Sequence, residues 1–222
     1  MATSASVVPV SASGEFQRPN STFRNWISKE PGSEFVPAKD RYHLYISHAC
    51  PWANRTTIVR HLKGLGDIVT VTSVHHHSGA KGTTDQNREE SLIRAPSEST
   101  LTCRETGWKF ATTEEEIPEL NVTRDPLHHG YEYLSEVYHA EQPDYNGRFS
   151  VPLLYDKVAK KIVNNESEDI IRMLNHVFDD LIEDSYRDMD FYPSGMKKLI
   201  DEANKWIYDD INNGVYKTGF AQ

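Results

Sequence analysis

Apolar positions first alternate at Tyr42, Leu44 and Ile46, in a run bounded by polar residues, and the period of two predicts a strand. After Cys50 and Pro51 the period lengthens. Ile58, Leu62 and Leu65 recur at helical spacing, and Gly64 and Gly66 mark the stop. Ile68 to Val74 is β-branched and nearly continuous, as in a buried strand. These elements predict a βαβ unit with a parallel pair. Residues 75–125 are polar and without a sustained period, and loops of that length are usually functional or mobile. Leu127, Tyr131, Leu134 and Tyr138 then predict a helix, and Phe149 to Tyr155 and Val158 to Val163 two strands turning at Asp156 and Lys157. Ile170, Leu174, Val177 and Phe178 predict a further helix, with Asn165 and Glu168 as a capping box. From Met196 a last helix carries Leu199, Ala203, Trp206 and Ile207.

The order β-α-β followed by α-β-β-α is that of the thioredoxin-like fold, so the expected class is α/β, with this domain over residues 41–180. Residues 1–40 are rich in Ser, Pro and Gly, with Phe16, Phe23, Trp26 and Phe35 among them. They are expected to form an arm draped over the domain, the first fourteen being disordered. Residues 181–195 read as a linker, and 196–222 as the first helix of an all-α segment. No internal repeat is visible.

The chain has 222 residues, 37% hydrophobic and 26% charged, compatible with a soluble globular protein. No run approaches the roughly 18 apolar residues of a membrane span. A balance of 24 basic to 33 acidic side chains gives a net charge of −9, which opposes phosphate backbones and argues against nucleic acid as a partner. The two cysteines, Cys50 and Cys103, are too few for a secreted disulfide scaffold. The first fourteen residues lack the charged start and apolar core of a signal peptide. A cytoplasmic protein is expected, with an organellar leader as the lesser alternative.

Cys50 sits where a strand ends and a helix begins, in Ser47-His48-Ala49-Cys50-Pro51-Trp52-Ala53. Pro51 suits the first helical turn, where its missing N–H would be unpaired anyway. Helix N–H groups aimed at the sulfur, and the partial positive charge there, favour thiolate. At such sites thiol pKa values run from about 3.5 to 7.5, against about 8.5 for a free cysteine. An inert buried cysteine is the plainer alternative. A dithiol enzyme would carry Cys at position 53; this chain has Ala53, so the thiol needs an external partner, and glutathione is the usual one. Val151-Pro152 precedes a strand and is a candidate cis bond facing the cysteine, where Val151 could pair with a peptide; local sequence alone allows trans equally. Glu166 and Ser167 open the following helix, an anion site suited to a γ-glutamyl carboxylate with Glu166 on the adjacent ammonium, or equally a simple cap.

The run Arg41-Tyr42-His43-Leu44-Tyr45 leading into Cys50-Pro51-Trp52-Ala53 resembles the glutathionyl-hydroquinone reductases, the Xi class of glutathione transferases. So do Gly147-Arg148-Phe149-Ser150-Val151-Pro152, Asn164-Asn165-Glu166-Ser167 and Asn212-Asn213-Gly214-Val215-Tyr216-Lys217. The likeness runs from about Gly14 to Ala221, loosely across 75–125. It implies a glutathione-dependent reductase of glutathionyl-hydroquinones, with glutathione as co-substrate. Cys50 would attack the conjugate's sulfur, leaving a mixed disulfide that a second glutathione resolves. The resemblance implies that Trp108 packs on glutathione, that Arg148, Phe149, Ser150, Val151, Glu166 and Ser167 hold its polar groups, and that Tyr216 donates the proton. It is compatible with a homodimer. Family members usually carry His after CPWA, where this chain has Asn54. The family also continues into a long helical domain, so the chain is expected to be a short isoform, a truncated product or an incomplete gene model. It would then keep part of its glutathione binding and lose most reductase activity, with Leu199, Trp206, Ile207 and Val215 packing on the domain, meeting another chain or facing water.

Weaker signals lead elsewhere. His75-His76-His77 with Cys103 matches no standard metal-ligand spacing, and no metal is expected. Glu114 to Glu116 reads as a solvated acidic patch and Cys103 as an incidental loop thiol. Arg55, Arg60 and Lys63 read as a solvated basic face of the first helix. Two other functions remain open: omega-like deglutathionylation or dehydroascorbate reduction at the same thiol, and a non-catalytic glutathione-binding module.

Overall fold

The computed structural model describes residues 20–75 and 108–220. The expected disordered start, His76, His77 and Cys103 lie outside the described residues. Two compact units are present, Thr22–Met189 and one that holds Asp190–Phe220.

The first unit runs β1 (Tyr42–Ile46), α1 (Pro51–Leu62), β2 (Val69–Ser73), α2 (Leu134–Glu141), β3 (Leu153–Asp156), β4 (Lys161–Asn164), α3 (Ser167–His176) and α4 (Asp184–Arg187). The sheet order is β2-β1-β3-β4. β1 and β2 are parallel, with Tyr42 opposite Val69. β3 is antiparallel to β1, and β4 to β3. This is the expected thioredoxin-like arrangement, and it brings the C-terminal end of β1, where Cys50 follows, beside the segment that enters β3.

Alternation at Tyr42, Leu44 and Ile46 marks one buried face of β1, but His43 and Tyr45 are buried too. A second layer explains this. Tyr45 meets Phe110 edge-on at 5.7 Å, so residues from the long polar stretch cover the other face.

Helix α1 forms where its spacing predicts, on a different face. Ile58 is 56% exposed and Leu62 38%, while Trp52, Ala53, Thr56 and Val59 are buried. Its end follows a Schellman pattern. Gly64 takes φ +63°, its N–H bonds the His61 carbonyl at 3.0 Å, and the Leu65 N–H bonds the Arg60 carbonyl at 2.9 Å.

Helix α2 starts at Leu134, not Leu127. Gly130 at φ +97° breaks the chain ahead of it. The Glu136 carboxylate then accepts the N–H groups of Glu132 and Tyr133, at 2.7 and 2.9 Å, and opens the helix. The strands β3 and β4 also begin later than expected. Asp156 explains the turn: its Oδ1 accepts the N–H groups of Val158 and Ala159, at 2.8 and 3.0 Å.

The described part of the N-terminal arm is more than a drape. Asn25 N–H donates to the Val163 carbonyl at 3.0 Å and Asn165 N–H to the Phe23 carbonyl at 3.0 Å, which pairs the free edge of β4. Arg24 holds both carboxylate oxygens of Asp169 in α3.

The second unit carries α5 (Lys197–Trp206), a π-helical stretch (Ile207–Asn212) and α6 (Gly214–Phe220). Leu199, Trp206, Ile211 and Val215 are all exposed. No described helix is long and apolar enough to cross a membrane.

Candidate active site

Cys50 is the N-cap residue of α1, in extended backbone conformation, with Pro51 at the first helical position. Its N–H bonds the Ser47 carbonyl at 3.0 Å, which closes the turn out of β1. Its side chain makes no capping hydrogen bond to the helix. The expectation that helix N–H groups would point at the sulfur is therefore not met. The thiol instead donates to the Val151 carbonyl at 3.4 Å. The positive end of the helix dipole still lies beside the sulfur, because that follows from position alone. Ala53 is fully buried on the same turn, so a local disulfide partner is absent there.

The Val151–Pro152 peptide is cis. The loop leading to it, from Arg148 to Val151, is held from behind by two tyrosines. Tyr145 donates to the Arg148 carbonyl at 3.0 Å, and Tyr138 to the Ser150 carbonyl at 2.8 Å. The Phe149 ring packs edge-on against Tyr138 at 5.6 Å.

The turn into α3 supplies the other wall. Glu166 is the N-cap and accepts the Glu168 N–H at 3.2 Å, so the expected Asn165–Glu168 box is replaced. Asn165 is committed elsewhere. Its Oδ1 accepts the Phe23 N–H at 3.2 Å, and its Nδ2 donates to the Tyr138 hydroxyl at 3.2 Å. Tyr138 thereby joins the two loops. Burial pushes its phenol well above the ordinary range, so it stays neutral and can donate. Sequence reasoning read Tyr138 as an apolar helix position; its polar end had no local signal.

Two further sequence candidates are Trp108 and Tyr216. Trp108 is positioned through its carbonyl, which accepts the Leu134 N–H at 2.9 Å. Tyr216 lies on α6 of the second unit.

A model of the glutathione S-transferase N-terminal domain matches residues 49–177, which span Cys50, the cis peptide and the start of α3. The chain belongs to the glutathione S-transferase family. It is 42% identical over 224 residues to glutathione S-transferase omega-like 2 of Saccharomyces cerevisiae, covering 94% of this chain and 60% of that protein. It is 41% identical over 217 residues to the glutathionyl-hydroquinone reductase YqjG of Escherichia coli, covering 95% of this chain and 56% of that one. The Xi glutathione transferase structure from Phanerochaete chrysosporium matches with a TM-score of 0.78 at 42% identity, over 96% of this chain and 58% of that one. That of the Xi transferase ECM4 from S. cerevisiae in complex with glutathione matches at 0.72 and 38% identity, over 92% and 59%. The chain thus spans less than two thirds of the length of these relatives.

In this glutathione S-transferase family member the basic residues of α1 do not form the solvated face expected of them. Arg60 donates to the Val69 and Gly66 carbonyls at 2.6 and 2.7 Å. Lys63 is fully buried, 3.0 Å from the Asp179 carboxylate and bonded to the Met189 carbonyl at 2.9 Å. Arg55 donates to the Ser167 hydroxyl at 2.6 Å and lies over the Trp52 ring at 4.9 Å. Each reaches a partner contributed by a later segment, which no helical period discloses.

On the other face of the sheet the structure holds a polar chain that the sequence did not reveal. Tyr45 donates to Asp125 at 2.9 Å, Asp125 faces His128 Nδ1 at 2.8 Å, and His128 Nε2 meets the Tyr155 hydroxyl at 3.1 Å. Burial and the facing carboxylate push the Tyr45 phenol far above its ordinary range. This chain ties the 125–128 turn to β1 and β3, and its groups satisfy one another as buried polar groups must.

Proposed function

We propose that this chain binds glutathione and transfers it through Cys50, reducing glutathionyl-hydroquinones to hydroquinones. The observation that carries the reading is Cys50 at the head of α1, its sulfur 3.4 Å from the Val151 carbonyl. A thiol at that spot, lacking a second cysteine on its own turn, is suited to exchange with an external thiol. Arg148, Phe149, Ser150 and Val151 line the glutathione backbone. Glu166 and Ser167 take its γ-glutamyl end, and Trp108 packs against it.

In the first step the Cys50 thiolate attacks the glutathione sulfur of the conjugate. The sulfur–aryl carbon bond breaks, its electron pair stays on the ring carbon, and that carbon takes up a proton from an acid. In the second step the thiolate of another glutathione attacks the mixed disulfide. Oxidised glutathione leaves, and Cys50 returns as thiolate. Such chemistry belongs in a reducing setting such as the cytoplasm.

The test is turnover of a glutathionyl-hydroquinone by the purified chain, with equal release of hydroquinone and oxidised glutathione. Cys50→Ser should lose it and Cys103→Ser keep it. Turnover that survives in Cys50→Ser overturns the mechanism. The omega-like reading has the name of the S. cerevisiae relative in its favour. Reduction of a small mixed disulfide, with no action on the hydroquinone conjugate, would select it.

A further inference from the structure

The N-terminal arm reaches both walls of the thiol site through Thr22 to Asn25. On the side of the 148–151 loop, Tyr145 gives its hydroxyl proton to the Arg148 carbonyl. The Thr22 hydroxyl must therefore donate in its 3.2 Å contact with the Tyr145 oxygen. The Phe23 ring lies 5.6 Å from that of Tyr145 and meets that of Tyr138 edge-on at 5.8 Å. On the side of the 164–167 turn, Phe23 exchanges two hydrogen bonds with Asn165. Its carbonyl accepts the Asn165 N–H at 3.0 Å, and its N–H donates to Asn165 Oδ1 at 3.2 Å. The Asn25 carbonyl accepts Asn164 Nδ2 at 3.0 Å, and Asn164 Oδ1 in turn accepts the Glu166 N–H at 2.7 Å. Arg24 adds its two bonds to the Asp169 carboxylate.

The 148–151 loop enters β3 and the 164–167 turn leaves β4, so the walls stand side by side at the open end of that hairpin, where Leu154 pairs with Asn164. An open hairpin end is where pairing frays first. The arm is bonded to the β4 side and packed on the tyrosines that hold the loop. It therefore fixes the gap between the two walls, and Phe23 alone contacts Tyr138, Tyr145 and Asn165 together.

We infer that Phe23 is a positioning residue for glutathione, and that docking of the arm and binding of glutathione are coupled. With the arm docked, the spacing of the walls is set before the ligand arrives. With it released, the ligand must order both walls itself, and its affinity falls accordingly. Coupling of this kind is reciprocal, so bound glutathione holds the arm down by the same factor. The inference rests on the glutathione reading above and deepens it. Phe23 acts through Tyr138, Tyr145 and Asn165, and its role needs no contact with the ligand.

Two measurements on the full chain test this. The first compares glutathione dissociation constants and urea midpoints for the unaltered protein, Phe23→Ala, Phe23→Tyr and Ile27→Ala. Ile27 is buried on the same arm, with its N–H 3.1 Å from Met173 Sδ. Both alanine variants should lower the urea midpoint. Phe23→Ala should also weaken glutathione by about fivefold or more, Ile27→Ala by less than about twofold, and Phe23→Tyr, which keeps the ring, should recover most of the affinity. The second follows amide hydrogen exchange of the unaltered protein with and without saturating glutathione. Protection of the Phe23 and Asn25 amides should rise about 5- to 150-fold, while the Ser28 amide, bonded to the Phe35 carbonyl within the arm, should not follow. Equal weakening in Phe23→Ala and Ile27→Ala, unchanged affinity in Phe23→Ala, or protection shared equally by Ser28 overturns the inference. Failure of the unaltered chain to bind glutathione would overturn the glutathione reading and this inference with it.

Discussion

The Cys50 sulfur lies 3.4 Å from the carbonyl oxygen of Val151, across 101 residues of sequence. Their proximity follows from the parallel–antiparallel arrangement of the sheet. Cys50 leaves β1 at its C-terminal end, and the Val151 loop enters the antiparallel neighbour β3 at the same end. Everything proposed for the thiol depends on that juxtaposition. Incubated with oxidised glutathione, the protein should gain one glutathione at Cys50, read by intact mass and peptide mapping. Cys50→Ser should gain none there while its thermal midpoint changes little. Unmodified Cys50 in the presence of excess oxidised glutathione would argue for an inert thiol.

Tyr138 joins the two walls of the site, donating to Ser150 and accepting from Asn165. Tyr138→Phe leaves a part-buried carbonyl and a buried amide short of partners, a loss of about 1–3 kcal/mol. Urea denaturation should show that drop. Glutathione affinity should fall severalfold as well, because the loop at 148–151 and the turn at 164–167 lose their common anchor. A drop in stability with unchanged affinity would confine Tyr138 to the core.

Gly64 carries a second demand besides its left-handed backbone. A Cβ placed there would meet the Tyr186 ring at 2.5 Å. Gly64→Ala combines about 1 kcal/mol or more of backbone strain with that overlap. It should destabilise the first unit by about 2–4 kcal/mol. Gly66→Ala, where a Cβ meets open space, is the control and should be near neutral.

His43 gives the protein an acid-sensitive core. It is buried in β1, with Nδ1 on the Thr70 hydroxyl at 2.7 Å and its ring against Tyr45. Burial pushes it down to about 3, opposed by Asp125 and aided by Lys157, His128 and Arg60. The unfolded chain binds this proton near the ordinary value of about 6.5, and the folded one does not until about 3. The stabilisation is complete above about pH 6.5 and is lost as pH falls toward about 3, by up to about 1.4 kcal/mol per pH unit. Urea midpoints measured from pH 7 to pH 4 should fall more steeply for the unaltered protein than for His43→Asn. Parallel slopes would remove His43 as the source.

Much of this molecule was legible along the chain. Strand spacing at Tyr42–Ile46, the Cys50-Pro51 junction and the Gly64 stop are local matters, set by side-chain period and backbone chemistry within a few residues. So are the βαβ order and the later hairpin. Element starts were less legible where distant groups decide them. Leu127 and Tyr131 keep helical spacing with Leu134, yet Gly130 interrupts them. Asn165 has the residue type of a cap, yet Phe23 and Tyr138 claim its side chain, so Glu166 caps α3 instead.

The sequence by itself determined the elements, their order and the position of the thiol at a helix head, because each depends on neighbours close in the chain. Only the tertiary structure decided where the polar side chains of those elements go. Ile58 faces outward while Lys63 is buried, and Arg55 reaches Ser167 across 112 residues. A buried charge or hydroxyl must find its partner wherever packing supplies one, and no periodicity within a single helix records which later segment that will be.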